Sequence, residues 1–402
     1  MRLPPAFLAG AAGLTLLLTA CTTDAPEGAD GSGGENGAAT TPDAEWFDQA
    51  EFDAQLAQRE ITPEGPDDEP WAQAIEPEWI DTAEFAIDDP ENARVCFSNA
   101  SVSNPWRVTG SITMRQQAEA LIEEGRIGGF SSSDAADDDN QQISDIQAFV
   151  DSGDCDAIII SPSTTATLTP AVETACESGV PVIVFDRGVN SDCMVTFIHP
   201  IGGYAYGADA AEFLVENLEP GSTVLALRIL PGVDVLEHRW AAAQQVFGDS
   251  DLELLGFEFT EGDGAQIKDL VSQHLQRGEV DGIWMDAGDG AVAGLEAFED
   301  AGRPYPVIAG EDELSFMRKW DEEGLTAIAP VYSNFQWRTP MIAAGMILAG
   351  EEVPAEWILP QEPIRQDELD DYLERNSEMP SLHYAKFGGE DLPGFPEAWV
   401  DR

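Results

Sequence analysis

The residues best equipped for chemistry stand in short polar runs, each following an apolar one. Ser98-Asn99-Ala100-Ser101-Val102-Ser103-Asn104-Pro105-Trp106 is the first, followed by Ser131-Ser132-Ser133-Asp134, Ser161-Pro162-Ser163-Thr164 and Asp186-Arg187-Gly188. Asn104 can both donate and accept hydrogen bonds, Asp134 and Asp186 accept them, and Arg187 and Arg239 present planar forks of donors. Bonds to charged partners are shorter and stronger than neutral ones. Such a set suits capture of a polar solute, and the parts of a catalyst are missing. The sequence contains no GxSxG, HExxH or GxxxxGK[ST]. Asp286 and Asp289 could be imagined as a glycosidase pair, but neighbours on one loop seldom flank a bond from opposite sides. No two cysteines show CxxC spacing and the four histidines are scattered, so no metal site is expected, and no cofactor. Binding without turnover is the expected activity.

Loops of this kind need a scaffold that gathers them. Val95-Cys96-Phe97 reads as a strand, the loop Ser98 to Trp106 follows, and Thr109 to Glu124 has helical period. A weak strand at Gly128-Gly129-Phe130, a helix from about Asn140 to Ser152, the strand Ala157 to Ile160, a helix Leu168 to Ser178 and the strand Val180 to Phe185 come next. The alternation begins again after Phe197-Ile198-His199-Pro200, with later strands at Thr223 to Leu227, Gly282 to Met285 and Val307 to Ala309. Strand, helix, strand repeats imply parallel sheets with helices on both faces. The predicted fold class is α/β, as two doubly wound parallel-sheet lobes joined by a three-segment hinge. Lobe 1 is expected over 93–201 plus 331–358, and lobe 2 over 202–330 plus 359–402 with the C-terminal tail. A ligand would lie between them, beyond the carboxyl ends of the strands.

From about Arg94 to Asn376 the sequence resembles the periplasmic binding proteins of the ribose-binding type, which deliver sugars to ABC importers. Four features carry the resemblance: Ser103-Asn104-Pro105-Trp106, Ser161-Pro162, the run Pro181-Val182-Ile183-Val184-Phe185-Asp186-Arg187, and Arg239 opening a helix. The resemblance implies that Trp106 lies against the apolar face of a sugar ring, with Asn104, Asp186, Arg187 and Arg239 bonding its hydroxyls. In the second lobe the chain departs from the family. Asp286-Ala287-Gly288-Asp289 stands where an Asn-Asp pair is usual, Glu311-Asp312 where an Asp is usual, and Pro330-Val331-Tyr332-Ser333-Asn334 at the hinge position of a glutamine. Asp286, Asp289, Glu311, Tyr332 and Asn334 therefore join the expected ligand contacts, as does Asp134 from the run after the second strand, and the cargo is a small sugar or polyol, or a ligand with a positive group facing Asp286, Asp289 or Glu311. The expected partner is an ABC transporter permease, with a sensor kinase or chemoreceptor as the alternative output. The protein is expected to act as a monomer.

The N-terminus sets the expected location. Arg2, an apolar run from Ala6 to Leu18 and Thr19-Ala20 before Cys21 read as a secretory signal at 1–20, too short to span a bilayer. Leu18-Thr19-Ala20-Cys21 resembles the bacterial lipobox, so Cys21 is the expected lipidation site and the protein is expected outside the cytoplasmic membrane, anchored by lipid alone. Residues 21–92 read as an acidic tether of about 70 residues, reaching roughly 45 Å, whose aromatics from about Trp71 could pack on the body. In an oxidising compartment Cys96, Cys155, Cys176 and Cys193 permit up to two disulfides, and sequence alone does not rank the pairings. The formal charge is −57; 21 of the 76 acids precede Arg94 with two bases, so the remaining 55 acids and 17 bases leave the rest at −38. That surface repels nucleic acid, and a helix-turn-helix with a basic face is missing.

Overall fold

The computed structural model of the chain describes residues 41–288 and 290–393; the expected signal at 1–20, Cys21 and Asp289 lie outside the described residues. Helix α1 (Gln49–Gln58) and the short strand β1 (Trp79–Ile80) come first. Then β2 (Arg94–Asn99), α2 (Pro105–Glu123), β3 (Gly129–Asp134), α3 (Asp139–Ser152), β4 (Ala157–Ser161), α4 (Thr165–Glu177), β5 (Val182–Phe185) and β6 (Thr196–Pro200) alternate. A second series follows: α5 (Gly203–Asn217), β7 (Thr223–Arg228), α6 (Asp234–Gly248), β8 (Glu253–Phe259), α7 (Gly264–Arg277), β9 (Gly282–Met285), α8 (Ala291–Ala301), β10 (Val307–Ala309), α9 (Leu314–Glu323) and β11 (Ala327–Ile328). The chain returns to the first sheet through α10 (Thr339–Ala349), β12 (Val353–Pro354) and β13 (Glu356–Leu359), and α11 (Leu369–Arg375) follows.

Among the described residues, one sheet runs β13-β6-β5-β4-β2-β3 and the other β11-β10-β9-β7-β8, with every neighbouring pair parallel. These are the two doubly wound lobes. Strands covered on both faces read as unbroken apolar runs. In β4, Ile159 enters the cluster that holds Phe97, Phe185 and Trp337, while Ile158 and Ile160 point to the other face with Leu168 and Val172. Each isoleucine is fully buried, which contributes roughly 1.5–3 kcal/mol apiece. In lobe 1, β2 lies between β3 and β4, so the loops leaving β2 and β4 part and open a crevice; β7, between β8 and β9, does the same in lobe 2.

Tight backbone passages shape the crossing into lobe 2 and the packing of its first two helices. Gly202, at the crossing between β6 and α5, has φ +144°, and a Cβ there would run into the Gln55 side chain. Gly207 lets α5 and α6 close together, since a Cβ on it would stand 1.9 Å from the Arg239 carbonyl oxygen. That contact fixes where α6 presents Arg239.

Three expectations need correction. Ser131–Ser133 are not a strand-end loop: they belong to β3, the outer strand of its sheet, where one side faces water and polar residues are tolerated. The tether reading fails over residues 41–70, whereas packing from about Trp71 is as expected. Asp48 caps α1 by accepting from the Ala50 and Glu51 amides, and Phe52 packs against Tyr204, Ala208 and Ala241. Trp71 and Ile75 are buried further along, and β1 pairs antiparallel with β12. The tail, expected with lobe 2, is held by both lobes. Tyr384 bridges to Glu313, whereas the Arg338 guanidinium, beside α10, binds the Gly388 carbonyl and Asp391. The pairing left open by the sequence is Cys96 with Cys155 and Cys176 with Cys193.

Candidate functional site

Side chains from both lobes enclose a chamber of about 140 Å³. On lobe 1 it begins at the start of α2. Asn104 is extended and its Oδ1 accepts from the Arg107 amide at 2.9 Å, while Pro105 takes the first helical position, a pairing favoured at helix starts. The helix thus begins ahead of the expected Thr109, and Trp106 and Arg107 project from its first turn. The Trp106 indole donates to the Tyr332 carbonyl at 2.8 Å and packs 5.5 Å from the Trp337 ring, which leaves an 8% exposed indole lining the chamber.

Asp186 follows β5 with φ +69°, a left-handed conformation uncommon for a residue with a side chain and less so for aspartate. Its amide donates to Ile198 and its carbonyl accepts from the Tyr332 hydroxyl at 3.2 Å. Backbone outliers held this firmly gather at ligand sites. The Asp186 carboxylate meets Arg107 Nη2 at 2.9 Å with both side chains buried, and Arg107 Nη1 is buried without a hydrogen-bond partner. Arg187 beside it gives Nη1 to the Ser163 carbonyl at 2.6 Å.

Lobe 2 supplies Arg239 and Glu311. The Arg239 guanidinium lies 3.9 Å from the Tyr206 ring centre and 4.9 Å from that of Tyr332, donates to the Asp286 carbonyl, and keeps a buried Nε without a partner. Glu311 accepts from the Gly288 amide at 3.0 Å and from the Tyr384 hydroxyl at 3.3 Å. Among the described residues, Asn104, Trp106, Asp186, Arg187, Arg239, Glu311 and Tyr332 share the chamber.

Other expected contacts lie elsewhere. Asp134 is exposed at the end of the outer strand β3, accepting from the Ala136 amide and lining a separate groove. The Asp286 carboxylate is fully buried behind the chamber wall, with Oδ1 accepting from the Ile229 amide at 2.9 Å and Arg228 3.8 Å away, so it positions Arg239 through its carbonyl instead of reaching the chamber. Asn334 is fully buried too and donates to the Trp106 carbonyl at 2.7 Å, supporting the indole from behind. Arg107 and Tyr384 line the chamber without having been foreseen. Arg107 was findable, because an Asn-Pro helix start puts it on the first turn; Tyr384 arrives from a distant tail with no local signal. Among the described residues no cluster of three or more His, Cys, Asp and Glu side chains could hold a metal ion, and no helix is long and apolar enough to cross a membrane.

Burial also raises several carboxyls above the usual carboxylate range. It pushes Asp286 up to about 7 against the pull of Arg228 and Arg239, and Asp209 and Asp312 up to about 6. The folded protein thus keeps protons that the unfolded chain releases near pH 4. The stability this contributes is complete below about pH 4 and is lost as pH rises to about 7. The melting temperature should fall between about pH 4 and about pH 7, and Asp286→Asn, which retains the acceptor for Ile229, should flatten the upper part of that fall in a calorimetric series. An identical slope in the variant would contradict it.

Residues 95–338 match the family model described as periplasmic binding protein domain. The chain is similar to the ribose import binding protein RbsB of Bacillus subtilis, 24% identical over 221 residues that cover 55% of this chain and 72% of that protein. It is also similar to a xylitol-binding protein of Mycolicibacterium smegmatis, 23% identical over 253 residues that cover 60% and 69%. Among solved structures, an ABC transporter solute binding protein from Thermobispora bispora superposes with a TM-score of 0.65 at 21% identity, covering 75% of this chain and 95% of that one.

Proposed function

Because the chain belongs to the periplasmic binding protein family, a family of extracytoplasmic solute-binding proteins, we propose that it captures a neutral sugar or polyol between its lobes and delivers it to an ABC importer while held at the membrane through Cys21. The observation that carries this reading is the chamber itself. Arg107 and Asp186 from one lobe and Arg239 and Glu311 from the other converge on it, beside the Trp106 and Tyr332 rings. An aromatic face for C–H surface and charged groups for hydroxyls are what a sugar ring uses.

The charge of the wall argues against a cationic cargo. Arg107, Arg187 and Arg239 outnumber Asp186 and Glu311 there among the described residues, in a protein whose total charge is −57. Glu311 accepts from the Gly288 amide and the Tyr384 hydroxyl, and Asp286 does not reach the chamber. A ligand touching both lobes binds the closed state more tightly than the open one and so shifts the population toward closure. The closed form is what the permease would receive.

A thermal-shift screen over sugars, polyols and amines tests the reading, since a binder stabilises with the logarithm of its concentration over its Kd. A sugar or polyol should raise the melting temperature and amines should not. With that ligand, Trp106→Ala should weaken binding at least about tenfold by calorimetry, the loss of roughly 1.4 kcal/mol of contact. Unchanged affinity would sink this placement of the ligand.

A further inference from the structure

The inner chamber does not end at its own wall. Asp186, Arg187, Val233, Val235 and Tyr332 also line a second chamber of about 350 Å³. At about 140 Å³ the inner one is smaller than the roughly 300–1,000 Å³ common for small-molecule sites, and the outer one brings the cleft into that range.

The far wall of the outer chamber comes from α1, which precedes the matched span of residues 95–338. Glu51 and Gln55 of α1 face it, and the helix is held there by several bonds. Gln55 Oε1 accepts from the Tyr204 and Ala205 amides at 3.0 and 3.2 Å, at the start of α5. The Asp48 amide donates to the Tyr204 hydroxyl at 3.0 Å, and Arg59 pairs with Asp209 at 2.6 Å and Glu212 at 2.9 Å. With α1 pinned at both ends, Glu51 is part of a built wall.

The lining mixes apolar plates with polar edges. The Phe197 and His199 rings stand 4.5 Å apart beside Val189, while Glu51, Asp234 and Thr164 offer hydroxyl partners. Glu51, Asp234 and Glu356 give this chamber an acidic rim, which disfavours an anionic occupant.

We propose that the ligand has two units, a neutral disaccharide or glycoside, with one ring in the inner chamber and the second unit in the outer chamber against Glu51 of α1. The proposal rests on the sugar-binding reading above and names the size and charge of the cargo. Arg187 stands at the junction, where the linkage between the units would pass.

Calorimetry on the whole protein tests it with matched probes: D-xylose and xylobiose, D-glucose and maltose, D-galactose and melibiose, with digalacturonate as the anionic probe. For the ring that fits, the disaccharide should bind at least about tenfold more tightly than the monosaccharide. Glu51→Trp, which fills the outer chamber, should erase that advantage while leaving the monosaccharide affinity within about twofold, and Glu51→Ala should erase part of it. Digalacturonate should not bind. A monosaccharide that binds as tightly as its disaccharide, with Glu51→Trp changing neither, would overturn the two-unit ligand and leave the single-ring reading standing. Sugar binding indifferent to Trp106→Ala would remove the underlying reading, and this inference with it.

Discussion

Replacing Asp186 by alanine should cost the protein about 3–5 kcal/mol of stability and abolish ligand capture. Arg107 is 4% exposed and its Nη2 lies 2.9 Å from the Asp186 carboxylate. Removing the acid leaves a buried guanidinium without its counter-charge, and that penalty exceeds what the intact pair itself is worth. The backbone adds to the loss, because φ +69° suits aspartate better than alanine. Asp186→Asn separates the two effects. It keeps the backbone preference and one acceptor for Arg107, so it should lose less stability than the alanine variant while still weakening binding, where the charge strengthens each bond to a hydroxyl. Equal unfolding free energies for wild type and Asp186→Ala in chemical denaturation would contradict the account of this pair.

The second large effect is expected at Arg239. Its guanidinium is sandwiched near the Tyr206 and Tyr332 rings and directed by the Asp286 carbonyl, so little entropy remains to be lost when a ligand arrives. Truncating a buried, hydrogen-bonded charge at a binding site costs about 2–5 kcal/mol, which is a loss of roughly thirtyfold or more in affinity. Arg239→Ala should show it by calorimetry with the best sugar. Arg239→Lys should not restore binding, because an ammonium neither stacks on the two tyrosines nor presents a planar fork. A lysine variant with wild-type affinity would mean that only the charge matters at this position.

Much of the architecture was legible because parallel strands buried on both faces announce themselves. Ala157-Ile158-Ile159-Ile160 and Pro181-Val182-Ile183-Val184-Phe185 are runs that few other structures accommodate, and both are central strands. Asp186 and Arg187 could be placed because a buried strand runs straight into them. The outer strand β3 was misread for the converse reason: half-exposed serines carry no apolar signal, and Asp134 went with them. Asp286 and Asn334 were assigned to the ligand by residue type and loop position, yet which way a buried side chain turns depends on neighbours distant in sequence, here Ile229 and Trp106.

The largest misreading was the segment from residue 41 to about 70, ahead of the part from Trp71 that was expected to pack on the body. Its high acid content masks a helix that buries one narrow face, Phe52 and its neighbours, on α5. The spacing Asp48-Gln49-Ala50-Glu51 held the clue, since an acid at the cap with another three residues later marks a helix start. That helix matters for function as well as fold, because it forms the wall of the outer chamber.

The central claim is that a sugar or polyol is held between the lobes by groups from both. A crystal structure of the protein with the ligand that most raises its melting temperature tests it most directly. The account predicts one ligand molecule with a ring in the inner chamber, hydrogen-bonded to Arg107 or Asp186 on one side and to Arg239 on the other, beside the Trp106 indole. Saturating ligand bound outside the cleft, or touching only one lobe, would contradict it.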